Sequence, residues 1–592
     1  MMRRCPVSLL SNNTGASRTL RATGLSATAT PSTNPAIPKH GSGSLFHRVG
    51  ASTAASTVTA VHLGTTSGSL RFCSSTGINN TTTPQEAPTP IPVEGDYDVA
   101  IVGCGMLGAC LALHLTRAGY KVAVIDQKCG PGDGTTSYST GLVRAFYSTY
   151  DVSAIAWEAY QKFLVWKDFL RLGKNVETAK MRIAPCVIPQ INGEDDSFMK
   201  KAIPICEKLN IPFERMTVEE MKATLSKVNW DCDNVYTPRS IEDEEFDTPD
   251  TTKAYSHAFK FPCTAYFSDP RQVVIDIVNA TKDPANHGTD ALPVHLPINH
   301  VDAGKVATGI KGDYRGAPTY FFKSLLKSIT KTKNADGSVA VDGVVISDNC
   351  DTGVRDRKLN ARIVVNCSGP WSNKVTPLAF DGAGIKCDNN VTTRPLRIEF
   401  AVLKQSEPAK YNLETDGVVL IDNDLGFYSR PEPGNRVLVG GIEAACDAEE
   451  YFEDASDAET ATTSDIWKTS VYRAALRTPA LDVPTGRSAI GGISSYDVTE
   501  DWNPILDRSN MAGYYQAIGT SGNCFKTAPV MTKMLSELII KEDKGIMPRY
   551  GEQCHDLVPM KSHLETINVE VSLGTFSRLR SVEGASTKNV FA

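Results

Sequence analysis

The chain has 592 residues, 41% of them hydrophobic, and a formal net charge of −6. Residues 1–75 hold seven Lys and Arg side chains and no acid, so residues 76–592 carry −13, a charge that excludes a nucleic-acid binder and shows no basic stripe to the contrary. The fifteen cysteines are scattered with no CxxC pair, which argues against a zinc site or a disulfide framework, and no segment outside the first strand–helix unit reaches transmembrane length.

The first 92 residues read as a transit peptide followed by a linker. The first acid is Glu86, and Arg3, Arg4, Arg18, Arg21, Arg48 and Arg71 lie in a Ser- and Thr-rich background. Arg71-Phe72-Cys73-Ser74 suits a processing site, and Thr83 to Pro92 is a Pro-rich linker. The expected destination is the mitochondrial matrix, with a plastid as the alternative.

Tyr97 to Asp126 then reads as strand, turn, helix, strand and terminal acid. Gly103, Gly105 and Gly108 form GxGxxG, where the glycines allow a tight turn, close approach of backbone to a pyrophosphate, and close helix–strand packing. Met106 and Leu107 open the helix, whose free N–H groups favour phosphate. Asp126 can accept from ribose hydroxyls. This unit predicts a dinucleotide and does not separate FAD from NAD.

Four later segments add to it. Gly134 to Ser148, GTTSYSTGLVRAFYS, is a polar loop that feeds an amphipathic helix over Val152 to Leu170 and offers Ser137, Thr140 and Arg144 to a cleft. Ala361 to Trp371 is an apolar strand running into Ser-Gly-Pro at Gly369. Gly426 to Gly441 reads as a hairpin. Tyr514 to Ile518 is a strand that meets a glycine turn, Gly519 to Gly522, before a helix starting near Lys526. A lysine at a helix start opposes the macrodipole, which points to an external anion. The acidic run Asp447 to Glu459 reads as a solvated face. Residues 281–345 show no clean period and read as an inserted loop.

In this order VGCGMLG, STGLVRAFYS, DPRQVV, VVNCSGPW, FYSRPEPGNRVLVGG and GTSGNCFKTAP resemble the D-amino-acid-oxidase-type FAD oxidoreductases, and among them the sarcosine oxidases and related N-methyl amino acid oxidoreductases. The resemblance covers residues 96 to 545. It implies an α/β fold: a Rossmann-like FAD domain on a parallel sheet, built from 95–175, 263–390 and 487–545, and a mixed-sheet substrate domain built from 176–262 and 391–486, with 546–592 as a tail. It implies FAD contacts at Gly103, Gly105, Met106, Leu107, Gly108, Asp126, Ser137, Thr140, Gly369, Gly519, Gly522, Asn523, Phe525 and Lys526. It also implies that Arg144 and Lys526 clamp a substrate carboxylate. A second family arginine is replaced by Gly141. The family's flavin-attachment residues would fall on Arg436 and near Tyr138, so the implied FAD is noncovalent.

The implied reaction is oxidation of the C–N bond of a small secondary or N-methyl amino acid, sarcosine-like, by hydride transfer to flavin N5, with hydrolysis of the imine. The electron acceptor, oxygen or an electron-transfer flavoprotein, stays open; Lys374 and Lys386 are the lysines in the region where an oxygen-activating one should lie. The alternative function is that of a mitochondrial FAD-containing assembly factor for respiratory complex I. A lysine in the SGxxFK motif favours retained amine chemistry over that role.

Overall fold

The computed structural model describes residues 91–582 apart from 194, 291–315, 336, 351–352, 485–489 and 549–559. Residues 1–90, most of the segment read from the sequence as a transit peptide and linker, lie outside the described residues, as does the centre of the stretch read as an inserted loop.

Strand β1 (Val93–Val102) is exposed at its start and fully buried over Val99–Val102. It lies between β2 (Val122–Ile125) and strand Gly353–Asn366, parallel to both. Thr319–Phe321 extends the parallel set beyond β2, and Tyr514–Ile518 extends it beyond Gly353–Asn366. Helix α1 (Met106–Arg117) covers one face, with all twelve residues buried. His114 on α1 bonds the Pro529 carbonyl of the C-terminal helix at 2.9 Å. Burial, with Arg117 nearby, pushes its pKa to about 3, so this contact is made by a neutral ring.

The second sheet is mostly antiparallel. It runs in space from Leu481–Asp482 through Arg394–Gln405, Arg436–Gly441, Phe427–Glu432, Val419–Asp422, Cys186–Ile191 and Tyr255–Phe261 to Glu214–Met216. One parallel pair, Val419–Asp422 with Cys186–Ile191, makes it mixed. The Gly426–Gly441 hairpin forms with Phe427 opposite Gly441. The α/β class and the two-sheet architecture are therefore those expected.

Four details differ from the sequence reading. The amphipathic pattern is helix α2 (Tyr150–Leu164) followed by a separate turn, Trp166–Phe169, because Val165 leaves helical geometry at φ −113°, ψ 38°. The supposed inserted loop contributes strands Ser324–Lys333 and Val339–Cys350, an antiparallel pair on the edge of the first sheet. Their half-exposed faces carry Lys, Ser and Thr in place of a clean alternation, which hid them. Strand Gly491–Val498, assigned to the FAD domain, pairs with Arg394–Gln405 in the second sheet. The C-terminal tail contains a hairpin, Lys561–Leu564 with Val569–Ser572. It is held against α2 by Glu158, which accepts from Thr566 N at 3.0 Å and Ile567 N at 3.1 Å.

Candidate functional site

A cleft of about 420 Å³ opens at the carboxyl ends of β1, β2 and strand Gly353–Asn366. Gly103, Gly105, Met106 and Leu107 line it after β1, Asp126 after β2, and Ser368 and Gly369 after the third strand. The first helical turn has no side-chain cap from Gly105, although Thr136 Oγ1 accepts from Met106 N at 3.2 Å. Asp126 accepts from the backbone of Cys104 at 2.6 Å and of Lys128 at 2.8 Å, which fixes the turn; burial raises its pKa. Gly108 lies beneath the cleft wall. A Cβ there would stand 1.9 Å from the Gly103 carbonyl, so glycine is what lets helix and turn close.

The loop after β2 folds as a 3₁₀ turn, Thr135–Tyr138, and a short strand, Leu142–Val143. Thr135, Thr136, Tyr138, Ser139 and Thr140 line the cleft, but Ser137 does not: its hydroxyl bonds the Gly134 carbonyl at 2.8 Å. Gly141 has φ +64°, and a Cβ there would meet the Phe267 carbonyl at 2.2 Å. A side chain there would need the Phe267 backbone to move.

On the other wall the C-terminal helix begins at Cys524, two residues before Lys526. Thr520, Gly522 and Phe525 line the cleft, whereas Gly519 and Asn523 stand behind it. Gly519 N donates to Asp497 Oδ2 at 2.6 Å, and Ser372 Oγ donates to Asp497 Oδ1 at 2.9 Å. Asp497 is 1% exposed, and burial pushes its pKa up to about 7 against those hydrogen bonds. The second sheet closes the cleft with Ile398, Phe400, Tyr428 and Tyr496. These four escaped the sequence reading, because only the pairing of distant strands brings them here.

A small recess, about 40 Å³, adjoins the cleft and shares Ser139, Thr140, Tyr428, Tyr496, Gly522 and Phe525 with it. Arg144 and Lys526 line this recess together. Arg144 is 2% exposed and Lys526 5%. Arg144 Nη1 donates to the Phe146 carbonyl, and its guanidinium lies 4.0 Å from the Tyr147 ring centre. Lys526 Nζ is 5.7 Å from the same ring and makes two long contacts, 3.4 Å each, with Asn523 O and Oδ1. Burial, then the charge of Arg144, holds the Lys526 pKa well below the usual lysine range.

Of the other residues raised by the sequence, Arg436 donates to the Pro433 carbonyl at 2.8 Å inside the hairpin turn and lines neither cavity. Lys386 is exposed, and Lys374 stands on the cleft rim. The acidic run is largely solvent-exposed, as read from the sequence, but near its end Asp454 and Ser456 also line the cleft. No cluster of His, Cys, Asp or Glu among the described residues could hold a metal, and no described helix is long and apolar enough to cross a membrane.

A parallel sheet with an open phosphate-binding turn, roofed by a second mixed sheet, defines a two-domain dinucleotide-dependent oxidoreductase. The chain belongs to the FAD dependent oxidoreductase (DAO) family, whose model matches residues 98–260 and 325–538. Its cofactor is FAD, and the glycine turn before α1 and the cleft at the strand ends fit it. The fold is similar to L-proline dehydrogenase from P. horikoshii, at 17% identity and TM-score 0.54, covering 76% of this chain and 94% of that one. It is also similar to glycine oxidase from Geobacillus kaustophilus, at 16% identity and TM-score 0.50, covering 76% and 95%. L-amino acid deaminase from Proteus vulgaris matches at 11% identity and TM-score 0.50, covering 83% and 99%. No curated protein matches the sequence.

Proposed function

We propose that the protein oxidises the C–N bond of a small secondary or N-methyl amino acid whose carboxylate is held by Arg144 and Lys526. One observation carries this reading: Lys526 is buried beside Arg144, and its ammonium meets no carboxylate among the described residues. Two like charges buried together are unfavourable until an anion joins them. A carboxylate fits the recess, with the planar fork of arginine fixing its orientation and the lysine adding a point charge.

The rest of the substrate would extend past Thr140, Tyr428 and Tyr496 into the main cleft, since these residues border both cavities. Burial pushes the Tyr428 pKa up to about 12 and raises that of Tyr496, so both phenols stay protonated and can donate hydrogen bonds without acting as bases. Holding the reacting carbon in place is a large part of such catalysis. FAD, when bound, supplies the chemistry by accepting a hydride from the carbon next to the neutral amine. Water then hydrolyses the imine. Neither flavin-attachment position carries a suitable residue, which supports noncovalent FAD. The Arg-bearing, acid-free N-terminus supports the mitochondrial matrix, and an import assay with residues 1–92 fused to a reporter checks it.

Purified holoenzyme mixed anaerobically with sarcosine, dimethylglycine, pipecolate, proline or glycine tests the reaction. Bleaching of the flavin band by at least one secondary or N-methyl amino acid is expected. A flavin left oxidised by all of them would sink the proposal.

A further inference from the structure

We propose that residues 451–460 form a strap that closes over the phosphate-binding turn of the FAD cleft, and that FAD leaves only when its ties to the first domain open. This inference rests on the cofactor and is independent of which amine is oxidised.

The strap belongs to the second sheet. Tyr451 makes a bridge with Leu396, Arg397 N donates to Glu450 O at 2.7 Å, and Phe452 N donates to Pro395 O at 2.9 Å. From there the chain enters a 3₁₀ turn, Ala455–Glu459, capped by the Asp454 side chain, and Asp454 and Ser456 reach the cleft wall.

Its 3₁₀ turn and the capping Asp454 are tied to the first domain at two places. Glu459 pairs with Lys128, which follows β2. Asp454 pairs with Lys374, and Ser456 Oγ accepts from Trp371 Nε1 at 2.9 Å; both partners follow strand Gly353–Asn366. Lys128 also lies 5.1 Å from the Trp371 ring centre, so the two anchor points meet. In the sheet, β1 stands between β2 and Gly353–Asn366. A segment tied to both outer strands therefore crosses above the β1 turn, where GxGxxG would hold the pyrophosphate. Lys128, Trp371, Lys374, Asp454 and Ser456 all line the cleft.

The ties are built to open. Lys374 and Asp454 are 50% and 37% exposed, and Glu459 is 53% exposed. Exposed pairs are weak singly and screened by salt.

The test follows FAD release from diluted holoenzyme by the rise in free-flavin fluorescence, at low and at high salt. Salt is expected to speed release from the wild type several-fold. Lys374→Ala and Lys128→Ala should each speed release about two- to fivefold at low salt. The double variant should lose most of the salt response. The swap Lys374→Asp with Asp454→Lys should recover slow release that Lys374→Asp alone has lost. Wild-type release independent of salt, or a swap no slower than Lys374→Asp alone, would overturn the strap. Flavin that remains with the acid-denatured chain would overturn it as well, because nothing would then be released.

Discussion

Two buried arginines in this molecule are treated in opposite ways. Arg477, fully buried in the second domain, is surrounded by acids: Nε donates to Asp422 at 2.8 Å and Nη2 to Asp424 at 2.6 Å, with Nη1 on the carbonyls of Asp231 and Asn234. The two carboxylates raise its pKa further. Arg144 instead has a second cation, Lys526, for a neighbour, whose pKa is depressed by burial first and then by the charge of Arg144. The first cluster is satisfied within the chain and holds loops together. The second sets a buried lysine beside another cation, an arrangement that an anion from outside would favour. Burial of a charged group alone does not mark a site; the sign of its neighbours does.

Breaking the satisfied cluster should have the largest effect. Arg477→Met leaves Asp422 and Asp424 buried without their cation and should cost about 3–5 kcal/mol of stability in urea unfolding of the holoenzyme. A loss below about 1 kcal/mol would contradict the assignment of Arg477 as structural. In the recess the cost should fall on function. Arg144→Ala and Lys526→Ala should each lower kcat/KM for a carboxylated amine by about 2–4 kcal/mol, read from steady-state kinetics. Normal turnover by both variants would remove the clamp.

Asp497 gives a pH-dependent intermediate case. Its folded pKa is about 7 against 3.8 for an exposed aspartate, so the folded chain holds a proton that the unfolded chain releases. The resulting stabilisation is complete at low pH and is lost as pH rises from about 4 to about 7. Asp497→Asn should flatten that fall by something on the order of 2 kcal/mol, seen as a smaller drop in Tm between pH 5 and pH 8. An unchanged pH profile would mean that Asp497 does not titrate there. The smallest effect sharpens the contrast from the other side. Lys526→Met should leave ligand-free stability within about 1 kcal/mol of wild type or raise it, since it removes a repulsive charge. A simple carboxylate should raise Tm in the wild type more than the matching amide does, and this difference should vanish in the variant.

The sequence carried the parts of the site that are local. GxGxxG, the loop holding Arg144 and the turn before Lys526 each sit on a short run whose residue types suffice to show it. The opposite wall was illegible because Ile398, Phe400, Tyr428 and Tyr496 come from three strands whose common face is set by pairing across the second sheet. Ser137 was misplaced by one position for a related reason: the direction of a side chain in a 3₁₀ turn depends on its own backbone bonds. The cleft contacts at the end of the acidic run were illegible because its lysine partners lie 80 and 331 residues away. The edge strands between Ser324 and Cys350 lacked the alternation that a half-buried strand usually shows.

The segment 561–580 has a consequence for how the protein is made. Beyond the hairpin against α2, Arg578 bonds Asp388 at 2.7 Å and Asp507 at 3.2 Å, and Arg580 bonds Asp501 at 2.7 Å. Glu158 waits for Thr566 across more than 400 positions. The parallel sheet itself gains its last strand only at Tyr514–Ile518. The first domain therefore cannot close during synthesis until residues 514–580 have emerged. Until then its apolar strands depend on delayed, long-range pairing, which folds slowly and exposes the nascent chain to aggregation. A truncation that removes only the final hairpin and the two arginines should accordingly be recovered as an insoluble or chaperone-bound chain, even though it spares every residue lining the cleft.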